Sequence, residues 1–170
     1  MMKILVPVDG SELSLDAVRY ALSLRAKGLR CEFVLANVQE PASLYEVVTV
    51  RDADRLVNLS DGAARHLLQG ARELCDAAGA PYECEVATGD AAHMLLEICE
   101  SRGCNAIVIG ARGHGGLIGT RLGTVSQEIV HTSTVPVMVV KHAAVEDTAA
   151  RDETDAEAAN DPAEDVVGLA

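Results

Sequence analysis

Two groups of residues carry the chemistry legible in this 170-residue sequence. One is Val6-Pro7-Val8-Asp9-Gly10-Ser11, where an apolar run ends on a carboxylate, a glycine and a hydroxyl. The other runs from Gly110-Ala111-Arg112-Gly113-His114-Gly115-Gly116 through Gly119 to Gly123-Thr124-Val125-Ser126. Glycine occupies six of the 14 positions from 110 to 123 (110, 113, 115, 116, 119 and 123). Such a loop lets backbone N–H groups come close to a ligand. Gly123-Thr124 opens a predicted helix, whose unpaired N–H groups and dipole favour phosphate. Thr124 and Ser126 add hydroxyl donors. A Walker A loop is excluded, because it needs a lysine and none lies between Gly110 and Val140. The dinucleotide fingerprint G-x-G-x-x-G is excluded too: Gly10 stands alone after the first strand, and Ile118 follows Gly113 and Gly115 where a glycine is required. At this level a glycine loop that binds nothing fits the residues as well.

The elements that must position these groups alternate along the chain. Lys3 to Val8 reads as strand one. Ser11 or Ser14 caps a helix reaching Lys27, with Leu13, Ala17, Tyr20 or Ala21, and Leu24 inward and Gly28 as its stop. Cys31 to Val38 is strand two. Pro41 to Arg55 is a longer connection that reads as a packed loop, with a lid or an interface element as the alternatives, and Leu56 to Ala78 reads as a long helix ended by Gly79. Tyr82 to Ala87 is strand three. Asp90 opens a helix to Arg102, with Met94, Leu95 and Ile98 inward and Gly103 as its stop. Ala106 to Ile109, continuously apolar, is a strand buried on both faces. Val125 to His131 is a short helix and Val135 to Val140 strand five. Strands linked by helices pair in parallel through right-handed crossovers, with helices on both faces of an open sheet. The expected fold is therefore α/β, a doubly wound five-stranded parallel sheet. In such sheets ligands bind at the carboxyl ends of the strands, where strand order reverses. That rule points to the loops after strands one and four.

Composition narrows the partners. The formal net charge is -12 and aromatics are 2%. Duplex nucleic acid and anionic lipid need cationic surfaces, and base-stacking platforms need exposed aromatic rings. Neither is expected, nor is a membrane span, since no run of 18 apolar residues occurs. Residues 1-142 are expected to form the folded domain. From Ala143 to Ala170 there are nine acids and one base, Arg151, which reads as an acidic disordered tail. The five cysteines, Cys31, Cys75, Cys84, Cys99 and Cys104, show no C-x-x-C spacing and read as small buried hydrophobes in a reducing compartment. His66 and His93 read as surface residues on helices. No metal site made of protein side chains is expected, and the expected location is cytoplasmic.

The spacing Gly110-x2-Gly113-x9-Gly123-Thr124 matches G-x2-G-x9-G-[S/T], the nucleotide motif of the universal stress protein family. Val6-Pro7-Val8-Asp9-Gly10-Ser11 resembles that family's first strand and loop, and Val135-Pro136-Val137-Met138-Val139-Val140 its last strand. The resemblance covers residues 2 to 142 and implies the ATP-binding branch, with a nucleotide alpha-hydrolase-like sheet of order 3-2-1-4-5. It implies a homodimer joined through the last strand, Val135 to Val140. It also implies a ligand, ATP (or ADP or AMP), accompanied by Mg²⁺. Asp9 should meet the ribose or adenine side, with Pro7 and Val8 beside it, and Val38 should meet adenine through its backbone. Ile109, Gly110 and Gly113 should line the ribose and phosphates. Gly123, Thr124, Val125 and Ser126 should hold the phosphates, with Arg112 and His114 as further phosphate contacts.

Turnover is a separate question. Fast hydrolysis needs a positioned water, an orienting base and charge stabilisation at the γ-phosphate. Asp9 and His114 are the base candidates, and a ribose contact would occupy Asp9. No nucleophile–base pair declares itself, so catalytic residues stay unassigned. The expected function is a nucleotide-binding regulatory homodimer of the stress response with slow or no turnover. The alternatives are a slow ATPase that uses hydrolysis as a switch and a dimeric scaffold that has lost its ligand.

Overall fold

The structure, a computed structural model, describes residues 1–39, 66–113 and 122–141. The elements are β1 (Met2–Pro7), α1 (Glu12–Ala26), β2 (Cys31–Gln39), a helical segment α2 (66–77), β3 (Tyr82–Thr88), α3 (Ala91–Ser101), β4 (Ala106–Gly110), α4 (Thr124–Thr132) and β5 (Val137–Val140). All strand pairs are parallel, in the order β3-β2-β1-β4-β5. The fold expected from the alternation of elements is the fold observed. The connection 41–55, residues 56–65 of the expected long helix, and the acidic tail lie outside the described residues.

Side-chain alternation along each strand builds two cores. Ile4 and Val6 of β1, Phe33 and Leu35 of β2, and Val108 of β4 face α1 and α2, meeting Ala17, Val18, Ala21, Leu68, Ala71 and Cys75. Leu5, Val34, Ala36, Ile107 and Ile109 face the other way, onto Ala92, Leu95 and Ile98 of α3 and Ile129 of α4. β4 is buried along its whole length, as its unbroken apolar run requires. Every fully buried Val, Leu or Ile contributes about 1.5–3 kcal/mol, so both layers hold the strand ends firmly.

Local signals set the helix limits. Ser11 caps α1, its hydroxyl accepting from Ser14 N–H at 3.2 Å, and Asp90 caps α3, accepting from His93 N–H at 2.9 Å. α3 closes in a Schellman turn: Gly103, at φ 64°, donates to the Glu100 carbonyl, and Cys104 N–H donates to that of Cys99. The inward face of α1 is Ser14, Ala17, Val18 and Ala21. Of the two candidates, Ala21 therefore points inward and Tyr20 is exposed. His66 and His93 are exposed, as expected.

One cysteine departs from expectation. Cys31, Cys75, Cys99 and Cys104 are buried, but Cys84 is exposed on β3, an edge strand. Among the described residues β3 pairs with β2 alone, so one side of the strand that carries Cys84 is unpaired. Burial pushes the Cys75 thiol up to about 11 and the Cys104 thiol up to about 12. Thiolate is the reactive form, so these groups are inert in the fold. Alkylation of the native chain is expected to modify Cys84 alone, with the other four reacting only on unfolding; mass spectrometry of the labelled chain checks this. The raised thiols also set an alkaline limit. The unfolded chain ionises them near 9.0 and the folded chain does not, so stability is full below that pH and falls as pH rises through 9.0 towards about 12. Thermal melts across that range measure the fall.

Candidate functional site

The site begins where the central strand stops. Pairing of β1 with β2 ends at Pro7–Ala36, and with β4 at Leu5–Ile107. β2 continues to Gln39 and β4 to Gly110. Beyond Val8 the two strands flanking β1 face each other across a gap, which is the topological switch point of the sheet. A cavity of about 450 Å³ fills it, within the usual range for a small-molecule site. Pro7, Val8, Asp9, Val38, Ile109, Gly110, Arg112, Gly113, Gly123, Thr124, Val125 and Ser126 all line this one cavity. These are all the sequence-predicted site residues within the described part of the chain. His114 lies outside it.

Asp9 is held in an Asx turn. Its Oδ1 accepts from Ser11 N–H at 2.9 Å and from the Ser11 hydroxyl at 2.6 Å. Gly10 takes φ 82°, which admits glycine readily, and packs against Leu67 of α2. Across the gap, Gly113 lies so close to Asp9 that a Cβ there would stand 2.5 Å from Oδ2. The loop after β4 thus runs directly against the carboxylate that ends β1. The chain returns when Gly123 N–H donates to the Ala111 carbonyl at 2.8 Å. Gly123 then caps α4 with no side-chain bond, and no acid lies in the first turn. Among the described residues no side chain caps the leading N–H groups of α4, and the helix presents its positive end to the cavity.

Ser126 shows how the gap is kept in order. The N–H groups of Ile107 and Ala111 are directed to β5, so Gly110, of opposite parity, turns its carbonyl to the vacated β1 side. The Ser126 hydroxyl donates to that carbonyl at 2.8 Å. Its hydroxyl proton is spent on that bond, so this side chain shapes the cavity wall.

The sequence reading missed five residues of the wall: Ser14, Ala36, Asn37, Ala91 and Leu95. Ser14 was read only as a cap, and Leu95 only as core. In the sequence Asn37 reads as one residue in an apolar strand. A signal was present, because Asn37 is the single amide in the run Cys31 to Val38. Among the described residues the buried polar side chains are Ser14, Asn37 and Ser126, and all three border this cavity.

A model of the universal stress protein family matches residues 1–141. The chain belongs to that family. Universal stress protein YxiE of Bacillus subtilis is 33% identical over 146 residues, covering 82% of this chain and 98% of that protein. Among solved structures, hypothetical protein MJ0577 superposes with a TM-score of 0.70 at 25% identity, covering 84% of this chain and 96% of that one. A universal stress protein family protein from Arabidopsis thaliana, solved with AMP bound, superposes with a TM-score of 0.62 at 24% identity, covering 95% of this chain and 100% of that one. In this member of the family, then, the switch-point cavity is the place to look for function.

The Ser126 bond yields a test. Ser126→Ala leaves the buried Gly110 carbonyl without its partner and is expected to destabilise the fold by about 1–3 kcal/mol. Urea unfolding measures this, and a change within error of zero would show that the bond is not what holds the wall.

Proposed function

We propose that this chain is an adenine-nucleotide-binding regulatory protein of the stress response, acting in the cytoplasm with slow or no turnover. One observation carries the reading. The end of β1, the end of β2, the glycine loop after β4 and the side-chain-uncapped N-terminus of α4 converge on a single cavity at the switch point. The nucleotide bound by the Arabidopsis relative is AMP, which supports an adenine ligand. In this reading the base lies against Val8 and Val38. Asp9 takes a ribose hydroxyl through its carboxylate. Phosphates rest on Gly110, Gly113 and Gly123 and on the leading N–H groups of Thr124, Val125 and Ser126, with Arg112 and His114 as further contacts. ATP, ADP and AMP share these contacts and differ only in how far the phosphates reach along the loop.

Mg²⁺ fits this reading only on the phosphates. Among the described residues no cluster of three or more His, Cys, Asp or Glu side chains could hold a metal. Asp9 is the carboxylate in the cavity wall. Mg²⁺ characteristically keeps several waters and binds through substrate phosphates. The homodimer is proposed through β5, an edge strand of half-buried valines and methionine. Slow turnover is supported by the state of Asp9: its Oδ1 already accepts two bonds from Ser11, which suits a fixed ribose contact better than a base.

Calorimetry with AMP, ADP and ATP tests the reading. The native chain is expected to bind all three, and Asp9→Ala to weaken each at least about tenfold, the worth of one lost charged hydrogen bond. A native chain that binds none of them refutes the proposal. Hydrolysis on the order of 1 s⁻¹ or faster that is lost in both Asp9→Ala and His114→Ala would make the protein an ATPase instead.

A further inference from the structure

We infer that Asn37 is a positioning residue of the crevice: its side-chain amide replaces the backbone rung between Val38 and Val8, and so leaves the Val38 N–H and carbonyl directed at a bound base. The inference deepens the nucleotide reading above and rests on it.

Along a strand, the N–H and C=O of one residue point to one side and those of the next residue to the other. The Ala36 carbonyl accepts from Val8 N–H at 2.8 Å, so it faces β1. The Gln39 carbonyl accepts from Gly89 N–H at 3.0 Å, so it faces the β3 side. Val38, two residues from Ala36 and one from Gln39, faces the β1 side. In a parallel ladder the next rung would run from Val38 N–H to the Val8 carbonyl. Backbone pairing stops instead at Pro7–Ala36. The Val8 carbonyl accepts from Asn37 Nδ2 at 2.7 Å, and Asn37 Oδ1 accepts in turn from Gln39 Nε2.

The substitution of a side chain for a backbone rung has a geometric result. A buried carbonyl requires a partner, and a Val38 rung would supply it only by drawing β1 and β2 together past Val8. Asn37, 2% exposed, supplies it from within the wall. The strands are free to part there, and the cavity opens between them. Val38 lies on that wall with a donor and an acceptor facing the side β1 has left, which suits the hydrogen-bonding edge of a purine.

Two variants test this in the full chain. Asn37→Leu keeps the branch at Cγ and removes the amide; Asn37→Asp keeps the shape and removes the donor while ionised. In the nucleotide-free protein, Val38 N–H is expected to exchange fast by NMR, and about tenfold more slowly in Asn37→Leu, where the rung can close. Val38 protected in the native chain as strongly as Leu35 overturns the inference. With AMP at about pH 7.5, both variants are expected to bind about tenfold more weakly than the native chain. At about pH 5.5, Asn37→Asp is expected to recover, because burial raises its carboxyl and the protonated form can donate to Val8. Asn37→Leu should not recover. Asp9 and Arg112, the other charged groups on the wall, are common to all three chains, so the native chain run in parallel accounts for their titration and the ligand's. Full-strength binding by Asn37→Asp at about pH 7.5, or a loss that acid does not reverse, overturns the role. A native chain that binds no nucleotide refutes the reading of the site, and the Val38 exchange rates still decide the role of Asn37.

Discussion

The structure depends on one constraint: the central strand of the sheet ends before its neighbours do. β1 stops at Pro7, while β2 and β4 run on to Gln39 and Gly110. Backbone groups that would have paired with β1 still require partners, because buried peptide groups are almost never left unpaired. Side chains supply two bonds at that edge: Asn37 serves the Val8 carbonyl and Ser126 the Gly110 carbonyl, while Ser14 bonds the Ser11 carbonyl at the start of α1. The buried polar residues of the described chain are those same three, and they collect around one cavity. A cavity between apolar layers would otherwise tend to close, and these bonds fix its walls without filling it.

The precision of the site comes from the sheet. The walls are the carboxyl ends of β1, β2 and β4, the loops that follow β1 and β4, and the first turns of the helices packed beside them. The strands are clamped from both faces, by α1 and α2 on one side and α3 and α4 on the other. Close backbone approaches then join the walls. Gly110 lies beneath the Leu13 carbonyl, where a Cβ would stand 2.8 Å from the oxygen, and Gly113 lies against Asp9. Glycine at these positions is demanded by contact rather than by backbone conformation. Removal of a single methyl's worth of space would displace the carboxylate or the first turn of α1.

Much of this was legible in the sequence, for identifiable reasons. Strand and helix periods differ, so the alternation of elements and the doubly wound sheet could be read directly. The glycine spacing and the Asp9 loop identified the cavity because both depend on residue type at fixed positions. What escaped depends on three-dimensional neighbours. Tyr20 and Ala21 sit one residue apart, and only packing against the sheet decides which turns inward. Cys84 reads as an apolar strand residue until β3 is known to be an edge. Asn37 and Ser126 have their meaning only once β1 is seen to end early, since each replaces a rung whose absence no local pattern reveals.

The central claim is that an adenine nucleotide completes the gap left by β1. Amide exchange by mass spectrometry, with and without saturating AMP, tests it most directly. The account predicts slowed exchange in the segments around Val8–Asp9, Val38, Gly110–Gly113 and Gly123–Ser126, with the bottom of the sheet unchanged. Protection that falls elsewhere, or none at all with AMP in excess, would contradict it.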